Sequence, residues 1–86
     1  MYKVIIADDE RIIREGIAAK IEWDKLGLNL VDLAVNGIDA FEKIITLKPD
    51  IVITDIKMPG MNGLELIEKF SDSVPRIKFI ILSGYD

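Results

Sequence analysis

The sequence lacks both cysteine and histidine. Without cysteine it has no disulfide framework and no thiolate chemistry, and without histidine it lacks the commonest general base and zinc ligand. Its apolar runs are far shorter than the roughly 20 residues of a membrane span. With 15 acidic against 11 basic residues and no basic patch, the segment is not expected to bind nucleic acid directly. A strand begins almost at the first residue, which predicts a protein without a signal peptide and with a cytoplasmic location.

The composition that remains is that of an ordinary globular domain. The chain has 86 residues, of which 50% are hydrophobic and 30% are charged. A chain of this length forms one domain at most. We therefore expect residues 1–86 to fold as a single domain.

Apolar periodicity and turn residues predict strands and helices in strict alternation. Strands are expected at residues 3–7, 28–35, 51–54 and 77–82. Helices are expected at residues 10–21, between an Asn36-Gly37 turn and Pro49, and after a cap at Asn62. Alternation of this kind indicates an α/β fold with a doubly wound parallel sheet. Placing the third strand beside the first gives the flavodoxin-like strand order 2-1-3-4.

The spacing of apolar and charged residues predicts which helix faces point inward. The predicted inner faces are Ile13, Ile17 and Ile21 in the first helix, and Leu64, Ile67 and Phe70 in the third. The charged residues of the first helix, Arg11, Arg14, Glu15 and Lys20, are interpreted as a solvated face.

Acidic residues follow two of the buried strands directly. Asp8 and Asp9 come after the run Val-Ile-Ile-Ala, and Asp55 comes after Ile-Val-Ile-Thr. Ligands of open α/β sheets bind at the carboxyl ends of the strands, where the strand order reverses. Three carboxylates at that position repel one another unless a proton or a cation intervenes. Since Mg²⁺ prefers hard oxygen ligands together with phosphate oxygens, the pattern predicts a Mg²⁺-assisted phosphoryl site.

Other interpretations of these acids remain open at this point. Asp8 and Asp9 would also suit the start of a helix, where one caps and the other favours the helix dipole. A Mg²⁺-dependent phosphatase with an aspartyl intermediate is a second possibility, although such enzymes place two acids two residues apart after the first strand. A purely structural fragment with a vestigial acidic site is a third.

Three segments of the chain together resemble a response-regulator receiver domain. They are residues 5–10 (IIADDE), 53–63 (ITDIKMPGMNG) and 80–85 (IILSGY). Residues 21–27 (IEWDKLG) and 82–86 (LSGYD) resemble the subgroup whose members carry an arabinose-regulator-type helix-turn-helix output. The resemblance implies a two-component signalling module that is not an enzyme, and a sensor histidine kinase as its partner. The kinase is expected beside the first helix, with Arg11 and Ile12 as contacts.

The resemblance also implies a role for individual residues. Asp55 matches the phosphoacceptor, which takes the phosphoryl group from a phosphohistidine. Asp9 matches a direct Mg²⁺ ligand, Asp8 an acid that holds the ion through water, and the Lys57 backbone carbonyl a further ligand. Ser83 matches the hydroxyl that contacts the phosphoryl group.

The family pattern continues beyond the fourth strand with a helix, a strand and a helix. We therefore expect a receiver domain that is truncated at its carboxyl end, in which the phosphoryl-pairing lysine of the fifth strand is missing. Strand four would then be an edge, with Ile77, Phe79, Ile80, Ile81 and Leu82 partly uncovered. Exposed apolar edges pair with other chains, so we expect self-association through strand four.

Overall fold

A computed structural model describes residues 1–73 and 76–82 of the chain, and within them it has four strands and three α-helices. The elements are β1 Tyr2–Ala7, α1 Arg11–Lys20, β2 Leu28–Ala34, α2 Gly37–Leu47, β3 Ile51–Asp55, α3 Gly63–Lys69 and β4 Lys78–Leu82. A short 3-10 helix, Trp23–Leu26, precedes β2, and another, Ser71–Ser73, follows α3. The predicted alternation is confirmed, with ends that differ by one or two residues. Val35 and Ile77, for example, lie just outside the strands to which they were assigned.

The four strands form one parallel sheet in the order β2-β1-β3-β4, as predicted. The register between β1 and β3 pairs Ile6 with Ile53 and Ala7 with Thr54. Both strands therefore end at the same level. The residues that follow this last pair, Asp8 and Asp55, are therefore neighbours at the carboxyl end of the sheet.

β1 is the centre of the fold, because it is covered on both faces. Its residues Val4, Ile5, Ile6 and Ala7 are all fully buried. Ile5 and Ala7 belong to the core cluster that contains side chains of α2 and α3. Val4 and Ile6 belong to a second cluster, on the face that α1 covers. Full burial explains why these four residues form a continuous apolar run without polar alternation.

A β-bulge in β2 changes the side-chain alternation of that strand. Val4 pairs with Leu30, whereas the next residue, Ile5, pairs with Asp32, so Val31 is an additional residue. Before the bulge Leu30 points to the α1 face, and after it Leu33 points to the same face. Without the extra residue the two-residue period would turn Leu33 to the opposite side.

Asparagine side chains begin two of the helices. Asn36, predicted as part of a turn, instead caps α2, and its side chain accepts a hydrogen bond of 2.8 Å from the Asp39 N–H. Asn62 caps α3 as predicted and forms a capping box with Glu65, in which each side chain accepts from the other residue's N–H. Across the part of the chain that the structure describes, no helix is long and apolar enough to cross a membrane.

The predicted inner faces of two helices are each wrong at one position. Ile13 of α1 is 41% exposed, whereas Arg14 is 9% exposed and faces inward. In α3, Leu64 is 59% exposed and Leu66 is fully buried. The observed inner stripe of α1 has the spacing i, i+3, i+4, i+7 of a helix face, and it begins at the arginine.

At the amino end of the sheet, Asp50 joins three strands. Its N–H donates to the Lys3 carbonyl and its carbonyl accepts from the Lys78 N–H, both at 2.9 Å. Its side chain accepts from the Lys3 N–H at 2.8 Å. β1 and β4 are thus both bonded to the residue that precedes β3.

Candidate functional site

Asp8 follows β1 at the carboxyl end of the sheet, where its main chain and side chain are both held. Its N–H donates to the Ala34 carbonyl at 3.1 Å, which continues the pairing of β1 with β2. Its Oδ1 accepts a hydrogen bond of 2.8 Å from the Glu10 N–H. Only 1% of Asp8 is exposed. An acid has therefore been placed in the interior, where the charged form is unfavourable without a partner.

Asp9 and Asp55 complete a group of three carboxylates. One carboxylate oxygen from each of Asp8, Asp9 and Asp55 lies within 4.8 Å of the other two. Asp9 is exposed and Asp55, the last residue of β3, is half-buried. The Ile56 N–H donates to Oδ1 of Asp55 at 2.7 Å, which fixes the direction of that side chain. The predicted convergence of the three acids is confirmed.

Burial and repulsion act together on Asp8. Burial raises the pKa of the Asp8 carboxyl above its ordinary value of 3.8, and the negative charges of Asp55, Asp9 and Glu10 raise it further. The hydrogen bond from the Glu10 N–H opposes these effects without cancelling them. A cation among the three carboxylates would relieve this repulsion. The oxygen-only donor set suits a hard divalent ion such as Mg²⁺.

A cleft of about 430 Å³ opens beside the acids. It is lined by Asp9, Ile56, Lys57, Met58, Pro59 and Asn62. The loop between β3 and α3 thus forms one wall, opposite the acid that follows β1. The structure places Lys57 in this wall, while Ser83 lies outside the described residues.

Two glycines allow this loop to pack against its neighbours. A Cβ atom on Gly63 would overlap the Asp55 carbonyl oxygen and would lie 3.1 Å from the Ile56 Cα. The Gly63 N–H also donates to the Ile56 carbonyl at 2.7 Å. A Cβ atom on Gly37, at the start of α2, would overlap the Met61 carbonyl oxygen. The loop that carries the candidate site is therefore closed over Asp55 by contacts that only glycine permits.

Arg14 was predicted to lie on the solvated face of α1, and this prediction is wrong. Its side chain is buried, and Nη1 donates a hydrogen bond of 2.7 Å to the Asp8 carbonyl. The spacing that could have revealed it is the stripe formed with Ile17, Ala18 and Ile21. Charge alone suggested solvent exposure, because arginine is seldom buried without a partner.

A second group of charges lies where β2 leads into α2. Lys43 donates to the Leu33 carbonyl at 2.6 Å and pairs with Asp39 at 3.2 Å and with Asp32 at 3.6 Å. Partial burial disfavours the charged form of Asp39. Even so, hydrogen bonds from the Val35 N–H and Lys43, with the positive charges of Lys43 and Arg14, lower the pKa of its carboxyl.

Comparisons with known proteins indicate the family to which a chain with this site belongs. Residues 4–86 match the response regulator receiver domain. The transcriptional regulatory protein YesN of Bacillus subtilis (strain 168) is 58% identical over 85 residues, which are 99% of this chain and 23% of YesN. The transcriptional regulatory protein HptR of Staphylococcus aureus (strain NCTC 8325 / PS 47) is 43% identical over 86 residues, which are 33% of HptR. The chain thus spans 23% to 33% of the length of these relatives.

Solved structures show the same fold. The REC domain of AraT, a response regulator from Geobacillus stearothermophilus, superposes with a TM-score of 0.93 and 39% identity, covering 99% of this chain and 66% of that one. The two component transcriptional regulator AraC from Clostridium phytofermentans has a TM-score of 0.88 and 34% identity, covering 100% of this chain and 69% of that one. Receiver domains are signalling modules and not enzymes. By fold, by the Asp8, Asp9 and Asp55 cluster and by sequence, this chain belongs to the response regulator receiver domain family.

Proposed function

We propose that residues 1–86 form a phosphoacceptor domain of a two-component system, with Asp55 as the residue that accepts the phosphoryl group. The observation that carries this proposal is the meeting of three carboxylates beside an open cleft at the carboxyl end of the sheet. The donor is a phosphohistidine of a sensor histidine kinase in the cytoplasm. The parent protein is a transcription regulator, as the names of YesN and HptR suggest.

The geometry supports a direct displacement at phosphorus. The Ile56 N–H holds Oδ1 of Asp55, so Oδ2 serves as the nucleophile. A new oxygen–phosphorus bond forms while the phosphorus–nitrogen bond to the donor histidine breaks, and the ring nitrogen keeps the electron pair and takes up a proton. A carboxylate is a competent nucleophile for this step. Such transfers depend mainly on positioning and on charge neutralisation.

Asp8, Asp9, Asp55 and the Lys57 carbonyl are the groups proposed to hold Mg²⁺. When bound, the ion neutralises charge on the carboxylates and on the incoming phosphoryl oxygens. Asp9 lines the cleft and Asp55 is half-buried, which suits direct ligands, while buried Asp8 suits contact through water. Ser83 is proposed as the hydroxyl that contacts the phosphoryl group. The modified aspartate would carry roughly −1.5 to −2 charges, which such a hydroxyl can approach.

The test uses acetyl phosphate as a small donor, so that no cognate kinase is needed. The chain is incubated with acetyl phosphate and Mg²⁺, and its intact mass is measured. We expect the gain of one phosphoryl group in the parent chain, no gain in Asp55→Asn, and an unchanged gain in Asp24→Asn, where an exposed aspartate far from the cluster is altered. Modification of Asp55→Asn equal to that of the parent would disprove the assignment. Turnover of a phosphate ester would instead support a phosphatase.

The kinase is proposed to dock against the outer surface of α1. Ile12 is 87% exposed, and the neighbouring Arg11 is also exposed. An isoleucine this accessible is a candidate for the apolar centre of an interface, with the arginine at its rim. α1 begins directly after the two acids, so a partner bound there lies close to the cleft.

A second proposal concerns assembly of the 86-residue chain. β4 has β3 on one side, and among the described residues no strand pairs with its other side. Ile80 is 49% exposed, and Phe79, Ile81 and Leu82 are partly buried, whereas Ile77 is 5% exposed, which corrects its prediction as an uncovered residue. An apolar edge of this kind is a template for pairing with a second copy.

Sedimentation velocity tests this assembly. We expect the chain to form dimers at tens of micromolar, and we expect Ile80→Lys to shift it to monomers, because charged side chains on an edge strand prevent pairing. Ile12→Lys, at an even more exposed position on α1, is the control and should leave the dimer intact. A compact monomer of the parent chain at this concentration contradicts the proposal, and the phosphoacceptor assignment does not depend on it.

A further inference from the structure

We propose that Arg14 is a positioning residue for the acidic site, which it orients through the main chain of Asp8. The inference rests on the proposed function, because it concerns the residues assigned there to Mg²⁺ binding. The observation behind it is the hydrogen bond of 2.7 Å from Nη1 of Arg14 to the Asp8 carbonyl.

The burial of Arg14 supports this positioning role. A guanidinium group removed from water is costly unless hydrogen bonds satisfy it. With 9% of its surface exposed, Arg14 lies on the inner face of α1, and its Nη1 reaches the Asp8 carbonyl. A neutral apolar residue would fill the same position on a helix face at lower cost. The arginine is therefore best explained by what its donors hold.

Arg14 contacts the peptide group that connects two of the acids, Asp8 and Asp9. The Asp8 carbonyl and the Asp9 N–H belong to one planar peptide group. The Asp8 N–H is already held by the Ala34 carbonyl at 3.1 Å. Arg14 adds a restraint on the other side of the Asp8 Cα, so both peptides that flank this residue are fixed. Because the second peptide leads into Asp9, one hydrogen bond restrains the directions of two carboxylates.

Arg14 also lies near the start of α2. Its positive charge contributes to the lowered pKa of Asp39, in the first turn of α2. Arg14 thus lies close to three elements: its own helix, the end of β1 and the start of α2. A side chain in this position restrains the acidic loop relative to the carboxyl end of the sheet.

Mg²⁺ binding measured by calorimetry with magnesium chloride alone tests the inference. We expect Arg14→Met, which keeps the apolar stem and removes the donors, to raise the Mg²⁺ dissociation constant at least tenfold, as loss of a residue that hydrogen-bonds to a metal ligand commonly does. Arg14→Lys keeps a donor and a charge, and it should recover most of the affinity. In acetyl phosphate assays the Mg²⁺ concentration at half-maximal rate should rise likewise, while the rate at saturating Mg²⁺ stays within about twofold.

The control variant is Ile77→Ala, which removes a buried side chain remote from the acids. It lowers stability without touching the Asp8 peptide, so its Mg²⁺ affinity should equal that of the parent. If Arg14→Met does not fold, Arg14→Gln replaces it, because the shorter amide does not reach the carbonyl.

An Arg14→Met or Arg14→Gln variant that binds Mg²⁺ as the parent does would overturn the inference, as would an equal loss of affinity in Ile77→Ala. A parent chain that takes up no Mg²⁺ would instead overturn the proposed function itself, so the two failures are distinguishable.

Discussion

Substitution of Gly63 by alanine is expected to destabilise the domain and to suppress phosphoryl acceptance. The added Cβ would overlap the Asp55 carbonyl oxygen, which is a main-chain atom and cannot move by a simple rotation. Overpacking of this kind costs about 3 kcal/mol in the free energy of unfolding. The strand end that carries Asp55 must shift to admit the methyl group. A displacement of about 1 Å at a reacting group can reduce a rate on the order of 100-fold.

Urea unfolding and phosphorylation by acetyl phosphate measure these two effects separately. Rates are compared at a temperature where circular dichroism shows both proteins folded. Gly16→Ala is the matched control, because a Cβ there meets nothing within 4 Å. In the middle of α1 that change should raise the free energy of unfolding by about 0.5–1 kcal/mol. A Gly63→Ala protein as stable and as reactive as Gly16→Ala would show that the loop has room that the structure does not give it.

Substitution of Asp8 by asparagine is expected to have opposite effects on stability and on metal binding. In the metal-free protein, burial and the charges of Asp55, Asp9 and Glu10 raise the pKa of Asp8 above 3.8. The folded state therefore holds the Asp8 proton more tightly than the unfolded state does. As the pH rises from 3.8 through the raised pKa, ionisation of Asp8 costs stability, and the full cost remains at neutral pH.

Asparagine removes that cost and keeps an oxygen that can accept from the Glu10 N–H. At pH 7 without metal, Asp8→Asn should be more stable than the parent by on the order of 1 kcal/mol. The difference should shrink as the pH falls through the raised pKa of Asp8 and should be gone below about 3.8. Asp39 titrates in the opposite sense, since its lowered pKa contributes stability above 3.8 that is lost on acidification. It does so in both proteins, so its effect cancels in the comparison.

Mg²⁺ is expected to reverse the order of stability of the two proteins, if it binds at the proposed site. Asp8→Asn should bind Mg²⁺ at least tenfold more weakly, because one of the charges that attract the ion is gone. Added Mg²⁺ should therefore raise the melting temperature of the parent more than that of the variant. Asp24→Asn serves as the control for loss of one negative charge. A metal-free Asp8→Asn protein less stable than the parent at pH 7 would contradict the electrostatic argument.

The acids were predictable from sequence because their placement follows from connectivity. Asp8 and Asp55 each end a buried apolar run. When two such strands are neighbours in a parallel sheet, their carboxyl ends lie side by side, and so do the residues that follow them. No side-chain packing needs to be known for this conclusion. The strand order that this conclusion requires was predicted from the alternation of strands and helices, and the structure confirms it.

Features that depend on packing were not predictable in the same way. Arg14 looks like a surface residue by its charge, and its burial depends on the Asp8 carbonyl six residues earlier. The choice of Leu66 over Leu64 depends on how α3 meets the core beneath it. The extra residue of the bulge is Val31, a valine typical of regular strands, so the sequence does not mark the bulge. In each case the deciding partner is a main-chain group or a neighbouring element, which the pattern of residue types does not record.

Asp50 gives the two ends of the sheet different mechanical properties. Its main chain bonds to Lys3 and Lys78, and its side chain bonds again to Lys3, so the amino ends of three strands are fastened at one residue. The acidic end has instead a loop held by close glycine contacts and an exposed Asp9. We therefore expect a structural response to the proposed phosphoryl transfer at the acidic end, while the opposite end serves as a fixed base.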